Sequence, residues 1–390
     1  MKTTAIAMLS LVMLAGSASA QQTVRIGLIM PYSGQFADTA TQMDNAIKLY
    51  VKQNGDTVAG HKLEFIRKDT GGIAPDVAKR LAQELVVRDK VDVLAGFVLT
   101  PNALAAADVS AEARKFMVVM NAATSIITTK SPYMARTSLT TPQLNETFGA
   151  WAASKGGLKK VYTMVSDYGP GHDAEQAFQR GFKQAGGEVI GAVRFPVANP
   201  DFAAFVQRAK DQSPEGIYAW VPGGAQPAAL GKALAERGID PKRTRILGQG
   251  ELTEEEARKS MGDTAIGIIT AYHYDASHDS KLNRDFVKAF NDAYGRNPNI
   301  YSIGGWDGMH LIYAVLKASG GKTDGEALIG AAKGMQWESP RGPVSIDPET
   351  RDIVQTVYIR RVEKVGGELK NVEFDKVENV KDPVKARMPK

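Results

Sequence analysis

The sequence contains no cysteine among its 390 residues. A structural disulfide, a thiolate nucleophile and a cysteine-based metal site are therefore all excluded. There is also no cysteine near the N-terminus to carry a lipid, so we expect the mature protein to be free in solution. Its fold must be stabilised without cross-links, and the 43% of hydrophobic residues are enough to fill the cores of two domains.

Long apolar segments are lacking too. The longest apolar run near the start extends from Ala5 to Leu14, which is shorter than the roughly 20 residues that span a bilayer. It follows Lys2 and precedes small residues that end at Ala20, an order typical of a secretory signal peptide. We therefore predict a signal peptide over residues 1–20 and location in the periplasm. The alternative, an N-terminal membrane anchor, would need a longer run.

Motifs of the common enzyme classes are absent. The sequence has no P-loop, no H-E-x-x-H, no G-x-S-x-G and no metal-spaced histidine pair, and His273 and His278 are interpreted as a solvated pair. The G-x-G-x-x-A match at 169–174 is separated from its strand, so we interpret it as a bend over a small-ligand cleft. We predict no catalysis, no metal and no cofactor. An exported α/β enzyme would have to use Asp167, Glu251, Asp307 or His273, which form no partner pattern.

The net charge of +5 does not indicate a nucleic-acid partner. Lysines and arginines are mixed with acids, as in EEEARKSMGD (254–263), instead of forming a basic stripe. The charged residues are therefore expected to lie on solvated helix faces. We expect a monomer that binds a small molecule.

Short β-rich runs alternate with longer amphipathic runs, and this predicts an α/β fold with two doubly wound, Rossmann-like lobes around a hinged cleft. TVRIGLIM (23–30) and VDVLAG (91–96) are typical strands of the first half. We predict crossings between the lobes near 139–142, 268–272 and 336–342. The predicted division is a signal peptide at 1–20, lobe 1 at 21–140 completed by about 270–337, lobe 2 at 141–269 completed by about 338–375, and a poorly ordered tail at 376–390.

Ligands of open α/β sheets bind beyond the carboxyl ends of the strands, so the strand-to-helix loops are the candidate site. These loops are rich in glycine and hydroxyl residues, whose neighbouring backbone N–H groups suit an anion such as a carboxylate. Gly224 lies in one of them, PGGAQ (222–226), and Tyr168 in another, SDYGPG (166–171). Trp306, in GGWDGM, is either a ligand contact or a packing residue.

At these loops the chain resembles the type I periplasmic binding proteins of branched-chain amino-acid ABC transporters. The resemblance spans nearly the whole mature chain, and its markers keep the family's order and spacing. They are IGLIMPYSGQFAD (26–38), NAATS (121–125), SDYGPG (166–171), YSIGGWDGMHLI (301–312) and SPRGPVSID (339–347). The resemblance implies a solute-binding component that delivers its ligand to a membrane permease.

The resemblance also assigns roles within the site. It implies that Thr100 and Thr124 grip the ligand's carboxylate with their hydroxyls, that Ala122 adds its backbone, and that Tyr168 closes over the ligand. Hydroxyls and free amides can satisfy a carboxylate without a buried counter-charge.

The class of ligand stays open at this point. Amino-acid binders of the family place an acid where this sequence has Gly250, and here Glu251 follows one residue later. Glu251 either pairs with a ligand ammonium, which favours a branched-chain amino acid, or begins the next helix. The second alternative fits a receptor for amine-free aromatic or aliphatic carboxylic acids.

Overall fold

The computed structural model describes residues 22–388, so the predicted signal peptide at 1–20 lies outside the described residues. Within the described range, no helix combines the length and the apolar character needed to cross a bilayer. Residues 22–388 form two sheets with helices on both faces, which confirms the predicted fold class.

The first sheet has six strands in the order β2-β3-β1-β4-β5-β6. All neighbours are parallel except β2 and β3, which form an antiparallel pair. Helices cover both faces of this sheet, which explains why its central strands are almost continuously apolar. The strands are β1 (Thr23–Met30), β2 (Thr57–Val58), β3 (His61–Asp69), β4 (Val93–Gly96), β5 (Phe116–Val119) and β6 (Met134–Arg136).

The second sheet has nine strands, in the order β12-β13-β14-β11-β10-β9-β7-β8, with β15 paired to β14. Strands β7 to β11 are parallel to one another, and β14 joins β11 in antiparallel fashion. The strands are β7 (Lys160–Ser166), β8 (Glu188–Phe195), β9 (Gly216–Trp220), β10 (Arg245–Gln249), β11 (Ile269–Tyr272), β12 (Gln336–Ser339), β13 (Gly342–Ile346), β14 (Ile353–Val365) and β15 (Glu368–Val380).

The helices are shared between the two sheets. The late helices α9 and α10 return to the first sheet and pack against α1. The bounds are α1 (Ala37–Asn54), α2 (Pro75–Val87), α3 (Thr100–Ala113), α4 (Thr141–Ala153), α5 (Gly169–Gln184), α6 (Phe202–Asp211), α7 (Gln226–Glu236), α8 (Glu255–Met261), α9 (Lys281–Tyr294), α10 (Ile300–Ala318) and α11 (Gly325–Ala332).

The chain passes between the two sheets three times, and two of these passages lie elsewhere than predicted. The first follows β6 and precedes α4, close to the predicted 139–142. The second lies after β11, because 269–272 is itself a strand of the second sheet. The third lies between α11 and β12, since 336–346 forms a hairpin of the second sheet.

The prediction of a poorly ordered tail at 376–390 is wrong for the residues that the structure describes. Its first five residues complete β15, which pairs with β14. Beyond the strand, Asp382 and Lys385 are buried, and Lys385 Nζ lies 2.5 Å from Asp352. A lysine-rich composition suggested solvent, but a buried acid behind the first sheet gives this lysine a partner.

Candidate functional site

A small cavity lies between the loops that follow the strands of the two sheets. We call it the inner cavity, and its volume is about 50 Å³. Thr100 from the first sheet meets Tyr168 and Glu251 from the second in its wall, so three predicted site residues are brought together. The other lining residues are Phe36, Thr39, Val98, Leu99, Asn121, Ala123, Leu139, Pro170, Trp220, Pro222, Gly223, Gln249 and Tyr301.

On the side of the first sheet, Thr100 and Ala123 line the inner cavity and present hydrogen-bond donors. We call these two residues, together with Thr124, which bonds to Thr100, the donor end. Thr124 Oγ1 donates to Thr100 Oγ1 at 3.2 Å, which leaves the Thr100 hydroxyl hydrogen available to a ligand. Both side chains are buried, with exposures of 6% and 7%. Thr100 is the first residue of α3, whose N-terminal amides add positive potential. The arrangement suits a carboxylate.

The structure does not place Ala122 in the cavity wall. Its amide donates to the Phe97 carbonyl at 2.9 Å, and its own carbonyl accepts from Arg136. The next residue, Ala123, lines the cavity instead. Within residues 22–388 the amides of Ala123 and Thr124 form no hydrogen bond, so they are the free donors of this loop. The prediction chose a position one residue too early.

A buried arginine, which the sequence reasoning missed, holds this loop in place. Arg136 is fully buried and donates to the carbonyls of Ala122 and Thr124 at 3.0 and 2.8 Å. Its guanidinium pairs with Asp352 at 2.7 Å, and Asp352 also receives Lys385. These bonds fix the carbonyls of the loop whose Ala123 lines the cavity. No sequence motif indicates the role of Arg136, because its partner Asp352 lies 216 residues away in the chain.

Flat aromatic rings form the walls of the inner cavity. Tyr168 packs against Trp220 with ring centroids 5.7 Å apart, and Phe36 and Tyr301 complete the lining from the first lobe. The indole N–H of Trp220 is buried without a hydrogen-bond partner among the described residues. Burial and the nearby Glu251 carboxylate raise the pKa of Tyr168. These walls suit a planar, apolar body.

On the side of the second sheet, Glu251 lines the inner cavity with a carboxylate that Gln249 and Tyr272 hold in place. We call these three residues its acid end. Both Glu251 oxygens accept from Gln249 Nε2 at 3.0 Å, and Oε1 also accepts from the Tyr272 hydroxyl at 2.9 Å. Burial raises the pKa of Glu251. Glu251 precedes α8 by four positions, so it does not begin that helix.

Gly250 could not carry the acid itself. A Cβ atom at this position would collide with the Tyr272 ring and the Arg360 guanidinium. The acid of this sequence is therefore carried one residue later, where the chain turns through a 3₁₀ segment after β10. The offset noticed in the sequence is a local rearrangement of the strand end.

Trp306 lies away from the cleft. Its ring packs edge-on against Tyr50 and is tilted over Phe286, with centroid distances of 4.8 Å in both pairs. The segment GGWDGM is not a loop but the middle of α10. The helix instead offers Tyr301, near its capped N-terminus at Asn299, to the cavity.

Gly224 lines a second, larger space beside the inner cavity, which we call the outer chamber. Its φ of +96° is readily adopted only by glycine. The preceding Gly223 lines both spaces, and a Cβ there would collide with the Tyr301 hydroxyl. The loop of the second lobe therefore sits tightly against the first lobe.

The four residues considered for an enzyme are not brought together. Asp307 is buried against Arg341 at 2.8 Å, whereas Asp167 pairs with His172 at the surface at 2.7 Å. His273 is not solvated as expected: it is buried, and this lowers its pKa. Of the four, Glu251 alone lines either the inner cavity or the outer chamber.

Known proteins resemble this chain over almost its full length. The profile of a family described as periplasmic binding protein matches residues 23–368. A curated relative from Brucella melitensis, named Leu/Ile/Val-binding protein homolog 6, is 43% identical, with 98% of this chain and 99% of the relative covered.

Two solved structures are similar in both fold and sequence. One is a solute-binding protein of an ABC transporter from Rhodopseudomonas palustris BisB5, in complex with 3,4-dihydroxybenzoic acid. It is 52% identical with a TM-score of 0.89, over 93% of this chain and 99% of that one. The other, from R. palustris HaA2 in complex with p-hydroxybenzoic acid, is 41% identical with a TM-score of 0.90, over 94% and 100% of the two chains.

Proposed function

Since the chain belongs to the type I periplasmic binding proteins of the branched-chain amino-acid ABC transporter family, we propose that its ligand is an aromatic carboxylate, such as a hydroxybenzoate. As a solute-binding component of an ABC transporter, it would hold this ligand in the inner cavity. The carboxylate would occupy the donor end, and the ring would lie between the aromatic walls.

The observation that carries this proposal is the lining of the inner cavity. Tyr168, Trp220 and Tyr301 line a narrow space beside the free hydroxyl hydrogen of Thr100 and the free amide of Ala123. Flat walls of this kind suit a planar benzoate, with its anion at the donors and its apolar ring between the side chains. The R. palustris relatives, whose structures contain hydroxylated benzoic acids, support the same class of ligand.

At the acid end, a ring hydroxyl would donate to Glu251. The Gln249 amide and the Tyr272 hydroxyl already hold this carboxylate in place, so it is pre-oriented to accept a further hydrogen bond. A hydrogen bond to a charged group contributes about 1.5–3 kcal/mol. Glu251 would thus favour hydroxylated benzoates over benzoate.

A branched-chain amino acid is the second candidate ligand. Glu251 could pair with its ammonium, and the Brucella relative carries a Leu/Ile/Val-binding name. The aromatic walls argue for the first candidate, since a branched aliphatic side chain does not need flat surfaces.

Location and partners follow the family. Periplasmic binding proteins act in the periplasm and deliver their ligand to a membrane permease. For this chain we propose export through the signal peptide at 1–20, action as a monomer, and no catalytic turnover, no metal and no nucleic-acid partner.

Titration calorimetry of the mature protein tests the proposal. We expect heat from 4-hydroxybenzoate, weaker binding of benzoate, and none from leucine at the same concentrations. Binding of leucine with no heat from either benzoate would replace the first candidate with the second. A protein prepared without any carried-over ligand, obtained by unfolding and refolding, is the appropriate sample.

A further inference from the structure

The outer chamber adjoins the inner cavity. The two spaces share Thr39, Gly223, Glu251 and Tyr301 in their walls. The outer chamber has a volume of about 340 Å³, far larger than the inner cavity. Because Glu251 lies at the boundary, a substituent that extends a ligand past this residue would enter the outer chamber.

Acidic side chains dominate the lining of the outer chamber. Six of its lining residues are acids and three are bases: Asp38, Glu251, Glu254, Glu255, Glu256 and Asp275 against Arg258, Lys259 and Arg296. The bases are already paired, Arg296 with Asp38 at 2.6 Å, Lys259 with Glu255 at 2.7 Å and Arg258 with Asp275 at 3.6 Å. The electrostatic potential of the unpaired acids therefore favours a hydrogen-bond donor or a cationic group of the ligand over a second anionic group.

Glu254 is the acid in this chamber whose carboxyl remains available. It is half-buried, lines the chamber, and forms no side-chain hydrogen bond within residues 22–388. The charged groups near it are Arg360, Arg258, Asp275 and Glu251. Asp275 neutralises much of both arginines, at 3.1 Å from Arg360 and 3.6 Å from Arg258. A polar group without a partner in a confined space is costly unless a ligand pairs with it.

We propose that the outer chamber is a second subsite, in which Glu254 selects ligands carrying a hydrogen-bond donor or a cationic group on the side of the ring opposite the carboxylate. This inference rests on the proposed function, because it takes the carboxylate to lie at the donor end. An ammonium or hydroxyl beyond Glu251 would donate to Glu254. A second carboxylate there would face the acidic excess and be rejected.

The selectivity is directional as a result. The inner cavity offers donors, and the outer chamber offers acceptors. A ligand that carries an anion and, on its far side, a donor would therefore bind in a single orientation. A dicarboxylate of similar length satisfies the donor end alone. The subsite would therefore act mainly by excluding ligands that the inner cavity would otherwise accept.

The test compares three probes that share the benzoate group. They are benzoate itself, 4-(2-aminoethyl)benzoate, whose ammonium reaches past Glu251, and terephthalate, which carries a second carboxylate. Calorimetry is performed at pH 9 on the unmodified protein, on Glu254→Gln and on Glu236→Gln, because Glu254, whose pKa is raised to about 8, is then ionised while an alkylammonium is still protonated. Glu236 is the matched control, because its exposed side chain lines neither space and pairs loosely with Lys232 at 3.7 Å.

We expect Glu254→Gln to lower the affinity for 4-(2-aminoethyl)benzoate at least tenfold and the affinity for benzoate less than threefold. Glu236→Gln should change either affinity less than threefold. Terephthalate should bind the unmodified protein at least tenfold more weakly than benzoate. Equal losses for benzoate and the amine in Glu254→Gln, or terephthalate binding as tightly as benzoate, would overturn the subsite. If the unmodified protein binds none of the three probes and no hydroxybenzoate, the proposed function fails first.

Discussion

The donor end of the inner cavity offers hydroxyl and amide hydrogens, whereas the acid end offers carboxylate oxygens. At the donor end no charged side chain among the described residues lines the cavity, and Arg136 lies behind the loop, paired with Asp352. At the acid end a carboxylate lines the wall itself. In the proposed complex, neutral donors would hold the anion, and the carboxylate of Glu251 would accept from a donor group of the ligand.

The contrast teaches how one cleft can orient a small ligand. Neutral donors hold an anion without the penalty of burying a counter-ion that would be unpaired when the site is empty. The acid end tolerates its charge because Gln249 and Tyr272 satisfy it before any ligand arrives. Substitutions can therefore impair the donor end and the acid end independently.

The largest effect is expected from removing the support of the donor end. Arg136→Met leaves Asp352 with Lys385 as its ion-pair partner and frees three loop carbonyls. Breaking a buried ion pair costs about 3–5 kcal/mol. Because Asp352 keeps Lys385 as a partner, we expect the free energy of unfolding to fall by about 3 kcal/mol.

Urea denaturation measures this loss. The control is Arg80→Met, which removes an exposed pair with Glu84 and should cost less than about 0.5 kcal/mol. Equal losses in the two variants would mean that Arg136 does not hold the loop.

Removing donors themselves should act on binding and spare the fold. Thr100→Val deletes the free hydroxyl of the donor end, and Thr124→Ala deletes the hydroxyl that orients it. A hydrogen bond to a charged group contributes about 1.5–3 kcal/mol. We expect a roughly ten- to hundredfold weaker affinity for every carboxylate ligand, measured by calorimetry. Thr129→Ala, an exposed hydroxyl of the same segment, serves as the control. Unchanged affinity in Thr124→Ala would remove this residue from the site.

A change at the acid end should discriminate between ligands instead. Glu251→Gln keeps the shape but replaces a charged acceptor with a neutral one, which is worth about half as much. We expect 4-hydroxybenzoate to bind roughly tenfold more weakly and benzoate to change less than threefold. An equal loss of affinity for 4-hydroxybenzoate and benzoate would show that the acid end does not bind the ring hydroxyl.

The smallest effect is a pH dependence at the boundary of the outer chamber. Burial raises the pKa of Glu254 from 4.5 to about 8, so between these values the folded chain keeps a proton that the unfolded chain has released. The free energy of unfolding should therefore fall as pH rises from about 4.5 to about 8.

The pH dependence of the free energy of unfolding is measured for the unmodified protein and for Glu254→Gln, whose side chain at this position cannot titrate. The difference between the two proteins should change by less than about 1 kcal/mol per pH unit, because Glu254 is only half-buried. Denaturation curves at pH 5, 6, 7 and 8 measure it. Parallel pH profiles for the two proteins would contradict the raised pKa.

The regular part of the fold was accessible from the sequence because local patterns determine it. Parallel strands such as β1 and β4 are apolar runs bounded by turns, and α2 begins at a proline, as expected. The strand β15 was missed because polar residues occupy most of its length, in keeping with its position at the sheet edge.

The site was predicted less completely, since it depends on contacts between distant residues. The sequence could bring Thr100, Tyr168 and Glu251 to one cavity because loops after strands converge at the cleft. For Trp306 the sequence left two alternatives, and the structure shows the packing residue, on a helix whose glycines allow close packing against neighbouring backbone. Arg136 and Tyr301 give no local signal, because only the fold brings them to the site.

The pairing of Trp220 with Tyr168 has an optical consequence. Of the four tryptophans in the chain, Trp220 is the one in the lining of the inner cavity, while Trp306 and Trp151 pack against aromatic rings elsewhere and Trp337 donates to Asp307. An aromatic ligand seated beside Trp220 would change the emission of this indole and leave the other three nearly unaltered. The protein therefore carries its own fluorescent reporter, and Trp220→Phe should abolish the signal.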